Sequence, residues 1–144
     1  MAAAFFSGIK VVFVSEDLRC MKVMLKRRPW TLNMHKAQYG GSLFSMTDPV
    51  YLSLVYAALG WEKYYIWDQA AEIEYVRPAR GKVFFEARVS QDFLQEIVAH
   101  TQNGEKYLPW AHGEIVDEEG VVVARVRRQL YVRLKRAYRP LSVE

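Results

Sequence analysis

Between residues 42 and 59 the chain places Leu43, Phe44, Met46, Val50, Tyr51, Leu54, Val55, Ala58 and Leu59 at helical spacing and leaves almost no polar face. A helix that is apolar nearly all round belongs in an interior, so the rest of the chain has to wrap it. Gly60 is the expected stop, and the pair Gly40 and Gly41 precedes the expected start at Ser42. The flanking sequence supplies the wrapping mostly as strands. Ile9–Val14 is a β-branched run, and residues 18–25 alternate, with Cys20, Lys22 and Met24 on one side and Met21, Val23 and Leu25 on the other. Residues 64–67, 71–76 and 83–89 read as further strands separated by turn signals such as Arg77-Pro78 and Arg80-Gly81. Residues 91–103 return to helical spacing, with Asp92 as cap, Phe93, Leu94, Ile97, Val98 and Thr101 on one side, and Gly104 at the end. Residues 110–116 and 121–134 are strands joined by the acidic turn Asp117-Glu118-Glu119-Gly120. An antiparallel sheet with one buried face around one apolar helix is an α+β domain, here expected to span residues 1–144 as a single unit.

Composition narrows the function classes. With 144 residues and 51% hydrophobic content, the chain can bury a core without disulfides. The apolar opening at residues 2–6 is too short for a membrane span and lacks the basic lead of a signal peptide, which makes a cytoplasmic protein the expectation. A single cysteine, Cys20, excludes an internal disulfide and a cysteine metal cluster, and His35, His100 and His112 fall at no ligand spacing, so no metal is expected. A net charge of +4 and a pI near 9.2 favour an anionic ligand but fall short of the dense clustering of a nucleic-acid binder. In the last strand Val122, Ala124, Val126, Leu130, Val132 and Leu134 point one way, and Arg125, Arg127, Tyr131, Arg133 and Lys135 the other. That second face reads as a solvated surface ahead of a nucleic-acid surface.

The chemistry concentrates in residues 32–49, LNMHKAQYGGSLFSMTDP. Gly40 and Gly41 admit a close approach of backbone to ligand, and the free N–H groups of a helix beginning at Ser42 form a site for an oxyanion. Asp48 supplies a carboxylate base. Gly41 and Asp48 are seven residues apart, which on an unbroken helix separates them by roughly 10 Å along the axis. One substrate carbonyl cannot touch both in one chain, whereas two helices packed across a two-fold axis bring one chain's glycines to the other's carboxylate. Structural readings stand beside these. Asp48 before Pro49 is also the pattern of an N-cap, with a kink or restart of the helix there. The glycines suit a tight turn, Asn33 a turn holding its own backbone, and Arg77 an exposed strand end. Lys26-Arg27-Arg28 reads as a solvated run, and His35 as part of an exposed loop.

In order and spacing, Asn33, Tyr39-Gly40-Gly41 and Asp48 resemble the motif of the hotdog-fold acyl-CoA thioesterases, particularly the phenylacetyl-CoA thioesterase type. That group shows an Asn, then His-Gly-Gly, then an apolar segment ending in a catalytic Asp. IEYVRPA at residues 73–79 looks like the group's strand ending in Arg-Pro. GGSLFSMTDPVY, LGWEKYYIWDQAAEIEY and the closing LYVRLK are similar to a bacterial branch of this superfamily catalogued as a domain of unknown function. The resemblance implies a hotdog fold, an antiparallel sheet wrapped around a long central helix, paired edge to edge in a homodimer with acyl-CoA sites in the interface. Pairing of dimers into tetramers stays open. It implies Gly41 as the oxyanion donor, Asp48 from the opposite subunit as base or nucleophile, and Asn33 as an orienting hydrogen-bonder. Tyr39, Gly40, Ser42 and Arg77 would meet the substrate, with CoA entering as part of it and no separate cofactor. Tyr39 stands where the group has histidine, and its phenol can still donate a hydrogen bond. Met34 stands where a glycine is common. The alternative is a non-catalytic acyl-CoA-binding or scaffold protein on the same fold.

Overall fold

In the computed structural model, which describes residues 7–141, alternating apolar and polar residues form six strands: β1 (Ile9–Val14), β2 (Cys20–Leu25), β3 (Tyr64–Tyr75), β4 (Val83–Arg88), β5 (Trp110–Asp117) and β6 (Val122–Leu134). The apolar opening at residues 2–6 lies outside the described residues. All neighbouring strands are antiparallel and the order across the sheet is β1-β2-β4-β5-β6-β3, so β1 and β3 are its edges. Residues 64–67 and 71–76, expected as two strands, are one: β3 pairs with β6 from Tyr64↔Leu134 to Tyr75↔Ala124, with a bulge between Asp68 and Ala70. The extra residue breaks the alternation, and that break looks like a turn in the sequence.

The apolar run after the glycines fills the sheet's concave face, but in two pieces. It forms α1 (Gly40–Ser45) and α2 (Val50–Leu59), divided by the linker at residues 46–49 with a cis Asp48–Pro49 peptide. Pro49 has no N–H to give, and its ring displaces the carbonyl four residues back, so the restart falls where the sequence predicts it. Val50, Tyr51, Leu54 and Val55 are buried against Val23, Leu25, Phe85, Ile115 and Leu130 of the sheet. The all-round burial expected of this helix is not complete within one chain: Leu52, Tyr56 and Leu59 are half-buried, and Ala57 and Ala58 face outward. Gly60 ends α2 with a positive φ of 100° and its N–H on the Tyr56 carbonyl.

A third helix, α3 (Gln91–Thr101), packs Leu94, Ile97 and Thr101 into the same core. Its cap is Ser90, whose hydroxyl accepts the Phe93 N–H at 3.1 Å, while Asp92, the expected cap, sits in the first turn where its charge favours the helix dipole. On the outer face of β6, Arg127 pairs with Glu72 at 2.7 Å, and Arg125 lies 3.6 Å from both Glu74 and Glu114. These basic side chains are largely neutralised by neighbouring strands. No helix among the described residues is long and apolar enough to cross a membrane.

Candidate functional site

Gly40 and Gly41 sit in the first turn of α1, which begins two residues earlier than the expected start at Ser42. Neither has a positive φ, so a tight turn is not why glycine stands here. The cause is crowding. A Cβ on Gly40 would lie 3.0 Å from the Tyr75 ring, and one on Gly41 would run into Cε1 of Tyr39. Tyr75 also donates its hydroxyl to the Gly40 carbonyl at 3.0 Å. The Tyr39 carbonyl accepts the N–H groups of Ser42 at 2.9 Å and Leu43 at 3.2 Å. The Ser42 N–H is therefore committed, and the free amides of the first turn are those of Gly40 and Gly41, which have no acceptor inside the helix.

Beside Gly40 is a cleft of about 570 Å³ lined by Asn33, His35, Gly40, Leu43, Arg77 and Arg80 among others, while Tyr39, Gly41 and Ser42 stand outside its lining. Its volume suits a small organic ligand. Asn33 is turned partly to its own loop, its side-chain oxygen accepting the N–H of His35 at 2.9 Å and of Ala37 at 3.2 Å, as the turn reading has it. Gln38 joins that loop to the opposite wall through its N–H to the Ala79 carbonyl at 2.7 Å and its side-chain amide to the Gly81 carbonyl at 3.0 Å. Arg77 is exposed on the rim, and Arg27 of the basic run reaches the same rim through the Arg80 carbonyl at 2.8 Å. Tyr39 is 59% exposed and packs over Gly41. A second cleft of about 620 Å³ opens where β4 and β5 part, lined by Tyr51, Arg88, Trp110 and His112, and contains none of the expected site residues.

Asp48 is not part of the glycine cleft's lining. It does not cap α2 either, because Pro49 holds the N-cap position and no side chain caps the helix. Its carboxyl, 55% exposed, instead faces two residues that sequence reasoning missed. Arg128, with 4% of its side chain exposed, reaches across from β6. Its Nε donates to Thr47 Oγ1 at 2.9 Å and its Nη2 to the Phe44 carbonyl at 3.1 Å, which bolts the linker to the sheet. Its Nη1 lies 3.9 Å from Asp48 and 3.6 Å from Asp68, on β3. Burial, and next the neighbouring carboxyl of Asp48, pushes the Asp68 carboxyl up to about 6, against the pull of Arg128. A signal for Arg128 was present: in β6 it occupies the inward parity of Val126 and Leu130, where a charge needs a buried partner. Asp68 likewise shares the inward parity of Tyr64 and Ile66, but the bulge beside it hides that pattern.

The structure thus gathers Asn33, Gly40 and Arg77 in one cleft and sets Asp48 with Asp68 and Arg128 in a separate cluster. The sequence model of the domain of unknown function DUF4442 matches residues 1–132. No curated protein sequence matches the chain. Among solved structures, a probable thioesterase of unknown function from Pseudomonas aeruginosa superposes with a TM-score of 0.83 at 18% identity, over 94% of this chain and 89% of that one. The PaaI protein of the E. coli phenylacetic acid degradation operon does so at 0.65 and 21%, over 94% and 86%. A Haemophilus influenzae thioesterase gives 0.69 and 15%, over 92% and 82%. At these identities the likeness establishes the fold, the hotdog arrangement of a sheet curled on a central helix.

Proposed function

The chain belongs to the DUF4442 family, and on that premise we propose that it is a homodimeric acyl-CoA thioesterase whose two sites are each completed across the subunit boundary. The observation that carries the reading is the placement of Asp48: half-exposed, excused from capping, and grouped with edge strand β3 instead of the glycine cleft of its own chain. Two copies joined along β3 would bring each Asp48 to the other's α1. Thioesterases among the fold's relatives, from Haemophilus influenzae and Pseudomonas aeruginosa, support the reaction class.

In this reading the thioester carbonyl oxygen accepts the N–H of Gly41, with that of Gly40 beside it. Asp48 takes a proton from water as the water oxygen bonds to the carbonyl carbon, and preorganised N–H groups stabilise the resulting oxyanion by about 3 kcal/mol. Collapse of the adduct breaks the carbon–sulfur bond, and the leaving thiolate recovers a proton from the Asp48 carboxyl. Arg77, Arg80 and Arg27 stand where CoA phosphates would pass. Tyr39, where the related motif has histidine, packs over Gly41.

The test is thiol release from a panel of acyl-CoA esters by the wild type and Asp48→Ala. Turnover abolished by the substitution is the expected result. Turnover of no ester, or turnover that survives the substitution, rejects the reading, and binding of acyl-CoA without hydrolysis selects the non-catalytic alternative that Tyr39 leaves room for.

A further inference from the structure

Asp68 carries a buried carboxyl oxygen that nothing satisfies: Oδ1 is shielded from solvent and has no hydrogen-bond partner, while Oδ2 stands 3.6 Å from Arg128 Nη1. An orphaned buried acceptor is costly, more so when it is charged, and calls for a cause. The polar group within hydrogen-bonding reach is another acceptor, the carboxyl of Asp48. Two ionised carboxylates cannot bond to each other, but one proton between them turns one into a donor. The charge count agrees. Arg128 and Asp48 are the charged groups acting on Asp68, and Arg128 has committed its Nε and Nη2 to Thr47 and Phe44, so its Nη1 serves both carboxyls. One guanidinium against two carboxyls is balanced when the pair holds a single proton.

Resting on the reading of Asp48 as the base, we propose that Asp68 is a positioning residue acting through Asp48: protonated, Asp68 gives its proton to a hydrogen bond that holds the Asp48 carboxylate back from the substrate, and ionised, it releases Asp48 to act, with Arg128 balancing the charge of the pair. The protonated pair forms as pH falls through about 6, where burial and the Asp48 contact place Asp68. While Asp68 donates, Asp48 is held but is a weaker base. Above that pH Asp68 is ionised, its hydrogen bond to Asp48 is lost, and turnover climbs. Asp68→Asn keeps the shape and presents an amide donor to Asp48 at every pH, a permanent copy of the protonated state.

Two measurements on the full chain decide it. Carbon-13 titration of the side-chain carboxyls in the ligand-free protein is expected to show Asp68 titrating near 6 in the wild type and returning toward the ordinary carboxylate range in Asp48→Asn. In the pH profile of kcat/KM, Asp68→Asn is expected to erase the acid limb near 6 and to lower kcat about tenfold with KM changed less than about twofold. Asp68→Glu, which restores a titrating carboxyl, should bring the limb back. An Asp68 that titrates in the ordinary range, or an Asp68→Asn profile with its limb intact, overturns the proposal. The two readings fail differently. Turnover that survives Asp48→Asn removes Asp48 as base and leaves the carboxyl titration to decide the pairing, whereas a titration indifferent to Asp48→Asn removes the pairing alone. Should Asp68→Asn not fold, the Asp48→Asn titration still decides.

Discussion

In the proposed site Gly40 and Gly41 would contribute peptide N–H groups from the first turn of one short helix, whereas Asp48, Asp68 and Arg128 would contribute side chains from a linker and from two strands, β3 and β6. The glycine half is local: its neighbours Tyr39 and Ser42 are adjacent in sequence, and its geometry follows from where a helix begins. The carboxyl half is long-range, Asp48 and Arg128 being eighty positions apart, and it depends on one buried guanidinium to hold two acids. A half made of backbone should tolerate loss of a side chain around it. A half made of three coupled side chains should not. If the site is divided between subunits, the two halves should also be separable by genetics.

Mixing tests that separation with the largest expected effect. Gly41→Val, whose side chain would collide with Tyr39, removes the donor half, and Asp48→Asn removes the base half. Each homodimer should lose at least about a hundredfold in turnover, the usual weight of a general base or an oxyanion donor. Coexpressed in equal amounts, the two variants form mixed dimers in which one of the two sites is intact, so the mixture should regain about a quarter of wild-type turnover by random pairing. A site contained within one chain would regain nothing.

Arg128→Met comes next and is read in stability. It leaves Asp68 buried opposite Asp48 with no cation, and breaking a buried ion pair in this way typically costs about 3–5 kcal/mol. The matched control is Arg125→Met, on the other face of the same strand, whose pairs with Glu74 and Glu114 are more than half exposed and should be worth under about 1 kcal/mol. Urea midpoints at neutral pH compare them. Equal losses would mean that Arg128 is an ordinary surface arginine and that the carboxyl half is not a unit.

The pH dependence of stability has an unusual sign for an aspartate. Because Asp68 moves from an ordinary value of 3.8 up to about 6 on folding, the folded chain holds a proton across that window that the unfolded chain has released. Its contribution is full below the unfolded value and is lost as pH rises through about 6. Asp68→Asn has no such proton to lose. The difference in melting temperature between wild type and Asp68→Asn should therefore favour the wild type more at about pH 4 than at about pH 8. A difference that stays flat with pH would place Asp68 outside the coupled cluster.

The same contrast separates what could be read from the sequence from what could not. The apolar run 42–59 announced a buried filling, Pro49 announced its interruption, and Ile9–Val14 is a strand with the limits its β-branched residues suggest. The Gly40-Gly41 pair marked the start of α1, because a helix start is encoded by neighbours. The start of α1, expected at Ser42, falls at Gly40, a shift of the two residues by which helix limits commonly move. Asp68 was hidden because the bulge at Asp68 and Ala70 split one strand into two apparent ones, and because nothing local ties residue 68 to residue 48. Arg128 shows its inward parity only once β6 is known to bury that face. In the outer half of the sheet the reading held, since Arg125 and Arg127 meet glutamates on adjacent strands.

Tyr75→Phe carries the smallest expected effect and bears on the glycine half alone. Its hydroxyl donates to the Gly40 carbonyl at 3.0 Å, and its ring occupies the space that a Gly40 side chain would need. Phenylalanine keeps the ring and removes only the hydrogen bond. Tyr75 is 53% exposed, so water can replace the lost donor, and the change in stability should stay below about 1 kcal/mol. Because the oxyanion would be held by N–H groups that point away from that carbonyl, kcat should fall less than about threefold, with any loss appearing first in KM through the cleft wall that Tyr75 forms. A fall in kcat as large as that of Asp48→Asn would show that the glycine half also depends on a side chain, and the contrast between a backbone half and a side-chain half would no longer hold.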